Sequence, residues 1–191
     1  MKKVEHGKTF DRNAANPPAF EIFHNTVTEG YPKHWHTAIE IIMPTRGEYE
    51  VVVGKDSYNL KEGDIIMINS GVVHGMRFVS QGERIVMLVE PGCVENQEEM
   101  ETIFLRLPAI YFKKEDEEDP FYLFLRSQIL EMVREYDNES AVMTHRICTG
   151  LKELFSEFGR KGFSDANAQN TFGAMKQQEY IEAGLSACRY I

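Results

Sequence analysis

The chain has 191 residues and a formal net charge of −9 at pH 7, and 42% of its residues are hydrophobic. This composition fits a folded protein with one main core, and no apolar run approaches the roughly 20 residues that a membrane-spanning helix needs. The first residues also lack the apolar stretch of a signal peptide, so we expect a cytoplasmic protein with no membrane partner. Because an acidic surface repels phosphate backbones, we do not expect this segment itself to contact DNA.

The first part of the chain is predicted to be mainly β. Residues 1–19 are predicted to form an N-terminal arm, and residues 20–92 are predicted to form the core of a barrel. Short runs of β-forming residues alternate with turn residues at close spacing, which is typical of an all-β sandwich or barrel. The predicted strands lie at 47–53, 57–60, 65–68, 73–79 and 84–89. We expect them to follow one another as a meander of antiparallel hairpins.

Residues 93–161 are predicted to be helical, with a short helix at 96–105 followed by a helical hairpin. In the first helix of the hairpin, apolar residues step by three and four, at Tyr122, Leu125, Ile129, Met132 and Tyr136. Ser140 is expected to cap the second helix, whose apolar face carries Ile147, Leu151, Leu154, Phe155 and Phe158. The first stripe has the spacing of a coiled-coil seam, which favours a homodimer, although both stripes could simply pack on each other and on the barrel.

The last part of the chain is predicted to be a linker at 162–175 and a further short helix at 176–191. The linker is rich in small polar residues. The last helix reaches Ile191 with no glycine cap, proline or polar tail after it. We therefore expect that the chain is truncated within a further domain.

A group of histidines and one glutamate carries the most informative pattern. His34, His36 and Glu40 are separated by even numbers of residues, so on one extended strand their side chains would project from the same face, with Ala38 between His36 and Glu40. His74 opens a later strand that a barrel could bring opposite. Burying a carboxylate is costly unless cationic or hydrogen-bonding partners meet it, and imidazoles are suitable partners.

Three imidazoles and one carboxylate suit a divalent transition metal such as zinc, nickel, iron or manganese. The alternative is a hydrogen-bonded polar cluster that contacts an organic ligand without metal. In either case His34, His36, Glu40 and His74 are predicted to form a binding site. Ile42 and Met76 have the same parity and are expected to line the cavity beside them, unless they are ordinary core residues.

The spacing of these residues resembles the two motifs of cupins, whose fold is a double-stranded β-helix or jelly-roll barrel. The two matching patterns are His34-x-His36-x3-Glu40-x6-Gly47 and Gly63-x5-Asn69-x-Gly71-x2-His74. Cupin enzymes hold a metal with residues at the four positions of His34, His36, Glu40 and His74. However, Asn69 and Phe78 stand where those enzymes usually have proline and asparagine, which makes the match to the enzymes less close.

The residues around the motif are similar to the amino-terminal sensor domain of AraC-type transcription regulators. The resemblance covers residues 20–160 and includes His34-Trp35-His36, Glu40-Ile41-Ile42, Arg46-Gly47 and Val73-His74. It implies a barrel that binds a small-molecule effector, a helical region that forms a homodimer, and a DNA-binding helix-turn-helix domain that starts at about residue 176.

The resemblance therefore implies a regulator and no enzymatic activity. The alternative function is a metal-dependent cupin enzyme, a dioxygenase or isomerase, in which the same four residues hold the metal. A third reading is a dimerisation module with a vestigial pocket.

Overall fold

The computed structural model describes residues 19–26, 30–93, 109–116 and 118–161. The N-terminal arm before residue 19, the short helix at 96–105, the linker and the segment at 176–191 lie outside these residues. They stay predictions.

The described residues form two antiparallel sheets that pack face to face, followed by two helices. The five-stranded sheet has the order β1-β8-β3-β6-β9, and the four-stranded sheet has the order β2-β7-β4-β5. The strands are β1 (Phe20–Asn25), β2 (Tyr31–His34), β3 (Ile39–Arg46), β4 (Tyr49–Val53), β5 (Asp56–Leu60), β6 (Ile65–Ile68), β7 (His74–Phe78), β8 (Glu83–Val89) and β9 (Ala109–Phe112). The helices are α1 (Pro120–Asn138) and α2 (Met143–Lys161).

The strand connections are those of a jelly roll, which confirms the predicted mainly β barrel with a helical hairpin after it. The predicted meander is wrong, because β4 and β5 are the only sheet neighbours among the described strands that also follow one another in the chain. The reason lies in β3, where six consecutive residues from Ile39 to Pro44 are buried. A strand buried on both faces belongs in the middle of a covered sheet, and β3 accordingly lies between β8 and β6.

Alternate residues of β3 point into two separate apolar cores. Ile42 packs between the two sheets, inside the barrel. Ile41 and Met43 point the other way and pack against the helices. One strand therefore contacts both the barrel interior and the helical layer.

The two helices begin in different ways. At α1, Asp119 accepts a hydrogen bond from the backbone N–H of Phe121 at 2.9 Å, and Pro120 occupies the first turn. At α2, the N–H of Met143 donates to the backbone carbonyl of Ser140 at 3.0 Å. The Ser140 hydroxyl makes no hydrogen bond within the described residues. The predicted side-chain cap is therefore wrong, because a turn at 141–142 separates Ser140 from the helix.

The apolar stripe of α1 belongs to the core of a single chain. Tyr122, Leu125, Ile129 and Met132 are all at most 2% exposed and pack with the outer face of the five-stranded sheet and with α2. The interpretation of this stripe as a coiled-coil seam is not supported, because its side chains are already covered. A homodimer would have to use another surface.

Neither described helix is apolar enough over sufficient length to cross a membrane.

Candidate metal centre

Three histidines and one glutamate meet at one end of the barrel. His34 ends β2, His74 begins β7, Glu40 lies on β3, and His36 lies in the connection between β2 and β3. One side-chain donor atom from each of the four lies within 4.8 Å of the others. The structure thus brings together all four residues that the sequence predicted.

The local structure that joins them differs from the prediction. His34, His36 and Glu40 do not share one extended strand, because the strand is interrupted at residues 35–38 and the backbone bends at 37–38. The bend carries the chain from the four-stranded sheet, which holds His34, to the five-stranded sheet, which holds Glu40. The even spacing of these residues therefore predicted the correct cluster for the wrong reason. Their side chains converge because the chain crosses from one sheet to the other.

A bulge in β2 aims His34 at the site. Tyr31 pairs with Met76 and His34 pairs with His74, so the register of β2 shifts between the two pairs. Gly75 makes room for this backbone, since a Cβ there would lie 3.1 Å from the carbonyl oxygen of Tyr31. The rings of His34 and His74 consequently lie with their centroids 4.4 Å apart.

The turn before β7 holds His36 in place. Gly71 has a φ of 72°, a left-handed conformation that favours glycine. Its N–H donates to the backbone carbonyl of His36 at 2.8 Å. This bond ties the His36 loop to the turn that leads into His74.

All three histidines have the same ring orientation. Each ring places Nδ1 at hydrogen-bond distance from a backbone carbonyl two residues away: Pro32 for His34 at 2.9 Å, Ala38 for His36 at 3.0 Å and Val72 for His74 at 2.8 Å. Since a carbonyl only accepts, the proton belongs on Nδ1 in each case. The lone pair of each neutral imidazole is then on Nε2. This is the arrangement in which backbone carbonyls orient metal-binding histidines.

Glu40 faces two of these Nε2 atoms. Its Oε2 lies 2.8 Å from His74 Nε2 and 3.0 Å from His36 Nε2. Burial alone would raise the pKa of Glu40, but the bonds to His36 and His74 bring it far below its ordinary value. Burial alone would lower the pKa of His74, but the bond to Glu40, its charge and the Val72 carbonyl raise it. The pKa of His34 is lowered, mainly by burial.

These distances require a positive charge at the centre of the cluster. A carboxylate oxygen and an imidazole Nε2 that carries a lone pair are both acceptors, and they repel at 2.8 Å unless a proton or a cation lies between them. Without metal, the conflict is resolved only by a proton on each of the two Nε2 atoms that face Glu40, those of His36 and His74. A divalent ion resolves it for all four groups, and the donor set of three nitrogens and one oxygen fits zinc, nickel, iron or manganese.

The other predicted residues also face this region. Ile42 and Met76 belong to the apolar cluster inside the barrel, next to the four polar residues along β3 and β7. Trp35, between His34 and His36, has a side chain that is 51% exposed.

Sequence reasoning missed a second polar group at the other end of the barrel. Arg84 on β8 is 1% exposed and lies against the rings of Tyr31 and Tyr49. Arg84 lies two residues from Val86 on β8, and Val86 pairs with the interior residue Ile42, but this pairing is known only from the structure.

Comparison with known proteins agrees with this fold. Residues 25–90 match the family model of the cupin domain. The two-sheet structure is a cupin barrel. No match is found among curated protein sequences.

Solved structures that resemble this chain include apo ToxT from Vibrio cholerae, with 12% identity and a TM-score of 0.48 over 76% of this chain. They include the oxalate decarboxylase of Bacillus subtilis with its Mn(II) centres, with 19% identity and a TM-score of 0.33 over 36% of this chain. A cupin-2 domain protein from Shewanella frigidimarina has 16% identity and a TM-score of 0.35 over 40% of this chain. The alignments span 58%, 20% and 76% of those three chains, respectively.

Proposed function

We propose that this chain is the effector-sensing and dimerisation part of an AraC-type transcription regulator. A small molecule binds in the cupin barrel at a divalent metal held by His34, His36, Glu40 and His74. The observation that carries the binding site is the convergence of one ring nitrogen from each of three histidines with one carboxylate oxygen, each histidine ring being oriented by a backbone carbonyl at its Nδ1. The regulatory role comes from the sequence similarity over residues 20–160.

The metal would supply a positive centre that accepts an oxygen or nitrogen of the effector. His34 is exposed and His36 is half-buried, whereas Glu40 and His74 are buried. The cluster is therefore open to solvent on the side of His34. An effector that enters on this side would reach the metal first and the apolar interior, with Ile42 and Met76, next.

Strand β3 offers a physical route from the barrel to the helices. Glu40 and Ile42 face the effector site, while Ile41 and Met43 pack in the core that contains α1 and α2. An effector that shifts β3 by a fraction of an ångström would change the packing under the helices. Such coupling needs two arrangements that bind the effector with different affinity. The arm at residues 1–19 and the homodimer are the elements proposed to differ between them, and DNA would be contacted by a domain after about residue 176.

The second candidate is a metal-dependent cupin enzyme, a dioxygenase or isomerase. The same donor set favours it, since three histidines and one carboxylate leave coordination positions for substrate or oxygen. A regulator should bind its effector and release it unchanged. An enzyme should convert it.

Zinc titration by calorimetry tests the site on which both candidates rest. We expect one zinc per chain in the wild type and at least a 100-fold weaker affinity in His74→Ala, since a buried ligand is lost. His145→Ala is the matched control, because His145 is an exposed histidine on α2. Equal zinc binding by wild type and His74→Ala would overturn the site. Incubation of bound effector with the zinc-, iron- and manganese-loaded protein, followed by mass spectrometry, separates the regulator from the enzyme.

A further inference from the structure

The loop that carries His36 lies between two of the residues of the cluster. Residues 35–38 belong to no strand and connect β2 with β3, so strand pairing does not fix their backbone. His36 lies within this loop, and Glu40 follows it by two residues. The position of the loop therefore decides how the His36 ring and the Glu40 carboxylate face each other.

Thr37 anchors this loop to the five-stranded sheet. Its hydroxyl lies 3.1 Å from one carboxylate oxygen of Glu90 and 3.3 Å from the other, and it donates to this pair of oxygens. The bond is partly buried and joins residues 53 positions apart in the chain. Hydrogen bonds to carboxylates are among the stronger ones in proteins. The side chain between His36 and Glu40 is thus fastened to a distant part of the sheet.

Glu90 is itself held by its neighbours in the sheet. Its backbone N–H donates to the carbonyl of Ala19 at 2.9 Å. Val89, directly before it, is buried and pairs with Phe20 on β1 and with Ile39 on β3. Glu90 therefore follows a strand that is paired on both sides, and the fold fixes the place of its carboxylate.

A second contact holds the loop from the other sheet. The N–H of Gly71, in the turn before β7, donates to the backbone carbonyl of His36 at 2.8 Å. The two neighbouring residues His36 and Thr37 are thus bonded to opposite sides, one to the turn before β7 and the other to the end of β8. Loss of either contact would leave the loop attached on one side only.

From these observations we propose that Thr37 and Glu90 form a positioning pair for the metal centre. The pair binds no metal itself. It holds the loop in the arrangement that places His36 Nε2 3.0 Å from Glu40 Oε2. Metal–ligand distances are set to within about 0.2 Å, so a displaced ligand weakens the site. This inference rests on the proposed metal centre and assigns a role to two residues outside the donor set.

Zinc titration of the full chain by calorimetry tests the pair. Thr37→Val removes the hydroxyl and keeps a similar shape, and we expect zinc affinity to fall about 10-fold, as is usual for residues that orient metal ligands. Thr37→Ser keeps the hydroxyl and should bind zinc like the wild type. Ser57→Ala is the matched control, because the Ser57 hydroxyl donates to Glu50 at 2.7 Å in the four-stranded sheet. Its zinc affinity should stay unchanged.

A double-mutant cycle distinguishes a pair from two independent effects. Glu90→Ala removes the acceptor but keeps the backbone N–H that bonds to Ala19. If the two side chains act together, the variant with both Thr37→Val and Glu90→Ala should bind zinc no more weakly than Glu90→Ala alone. Additive losses, an unchanged affinity in Thr37→Val, or an equal loss in Thr37→Ser or Ser57→Ala would each overturn the inference.

Amide hydrogen exchange in EDTA measures the loop without metal. In Thr37→Val we expect faster exchange at Gly71, whose N–H bonds to the His36 carbonyl. Exchange should stay unchanged at Gly63, whose N–H donates to the Pro44 carbonyl at 2.8 Å. A role in general stability alone would speed exchange at both amides by the same factor, and that result would overturn the inference.

The failure of this inference is distinguishable from that of the proposed function. Zinc binding that depends on His74 but not on Thr37 would overturn only the positioning pair. An absence of zinc binding in the wild type would overturn the metal centre, and with it the role of the pair in metal binding.

Discussion

At the scale of single residues, the candidate site is a convergence of four side-chain donor atoms, three from histidines and one from a glutamate, at one end of the barrel. Spacing alone selected His34, His36, Glu40 and His74, and the structure brings their donor atoms together. Two features were beyond reach of the sequence. Even spacing places side chains on one face only if the strand is continuous, and this assumption missed the interruption at residues 35–38. The Nδ1 contacts to backbone carbonyls depend on ring orientation, which spacing does not determine.

The glutamate is predicted to set the charge balance of the site. Replacing Glu40 by Gln removes the carboxylate but keeps a similar shape. We expect zinc affinity to fall by about 10- to 100-fold, as is usual when a ligand or its close partner is lost. We also expect the pKa of His74, measured by NMR in the metal-free protein, to fall, because the bond and charge of Glu40 are what raise it. An unchanged pKa of His74 would contradict this account of the cluster.

The metal-free protein should lose stability as the pH rises through the pKa of His74. The folded state raises this pKa above the ordinary histidine value of about 6.5, so the stabilisation is complete below that value and is lost above the folded-state pKa. The depressed pKa of Glu40 keeps its carboxylate charged throughout this range. Urea unfolding in EDTA at several pH values measures the effect, and His74→Ala should abolish its contribution. In the presence of zinc, the stability should instead increase as the pH rises, because the metal binds deprotonated imidazole.

At the scale of elements, the predicted strands are present but their partners were not predictable. The run of buried residues in β3 does not say which strands lie beside it, since pairing with β6 and β8 is decided by the packing of the whole barrel. The α1 stripe shows the same limit. A spacing of three and four residues is shared by a coiled-coil seam and by a helix that packs on a sheet.

The turn before β7 should control metal binding. Gly71→Ala places a Cβ in a left-handed conformation, which costs about 1–2 kcal/mol. Because the Gly71 N–H bonds to the carbonyl of His36, we expect the free energy of unfolding to fall by that amount and zinc affinity to fall as well. Gly92→Ala is the control, since a Cβ there would meet nothing within 4 Å. Equal effects of the two substitutions on zinc affinity would argue against a role for the turn.

The buried stripe of α1 should act as core. Leu125→Ala is expected to lower the free energy of unfolding by about 2–5 kcal/mol, as for other large-to-small core changes. Leu123→Ala, at an exposed position on the same helix, should change it by less than about 0.5 kcal/mol. Urea unfolding measures both, and light scattering reports the oligomeric state. A stable Leu125→Ala monomer formed from a wild-type dimer would instead restore the coiled-coil interpretation.

At the scale of the whole molecule, the chain joins a cupin barrel to a helical hairpin through a shared sheet. The inner face of this sheet carries Glu40 and Ile42, and its outer face carries the core beneath α1 and α2. The fold class was predictable because turns, strands and helical stripes agree along the chain. The direction of any regulation was not, since it depends on the difference between two arrangements of the molecule.

The most direct test of the central claim is a cobalt(II) titration followed by visible absorption. Cobalt(II) replaces zinc in sites of this kind and reports its ligands through its spectrum. We predict visible bands that saturate at one cobalt per chain, disappear in His74→Ala and persist in His145→Ala. An absence of these bands in the wild type, or bands that persist in His74→Ala, would contradict the claim that His34, His36, Glu40 and His74 form a metal centre.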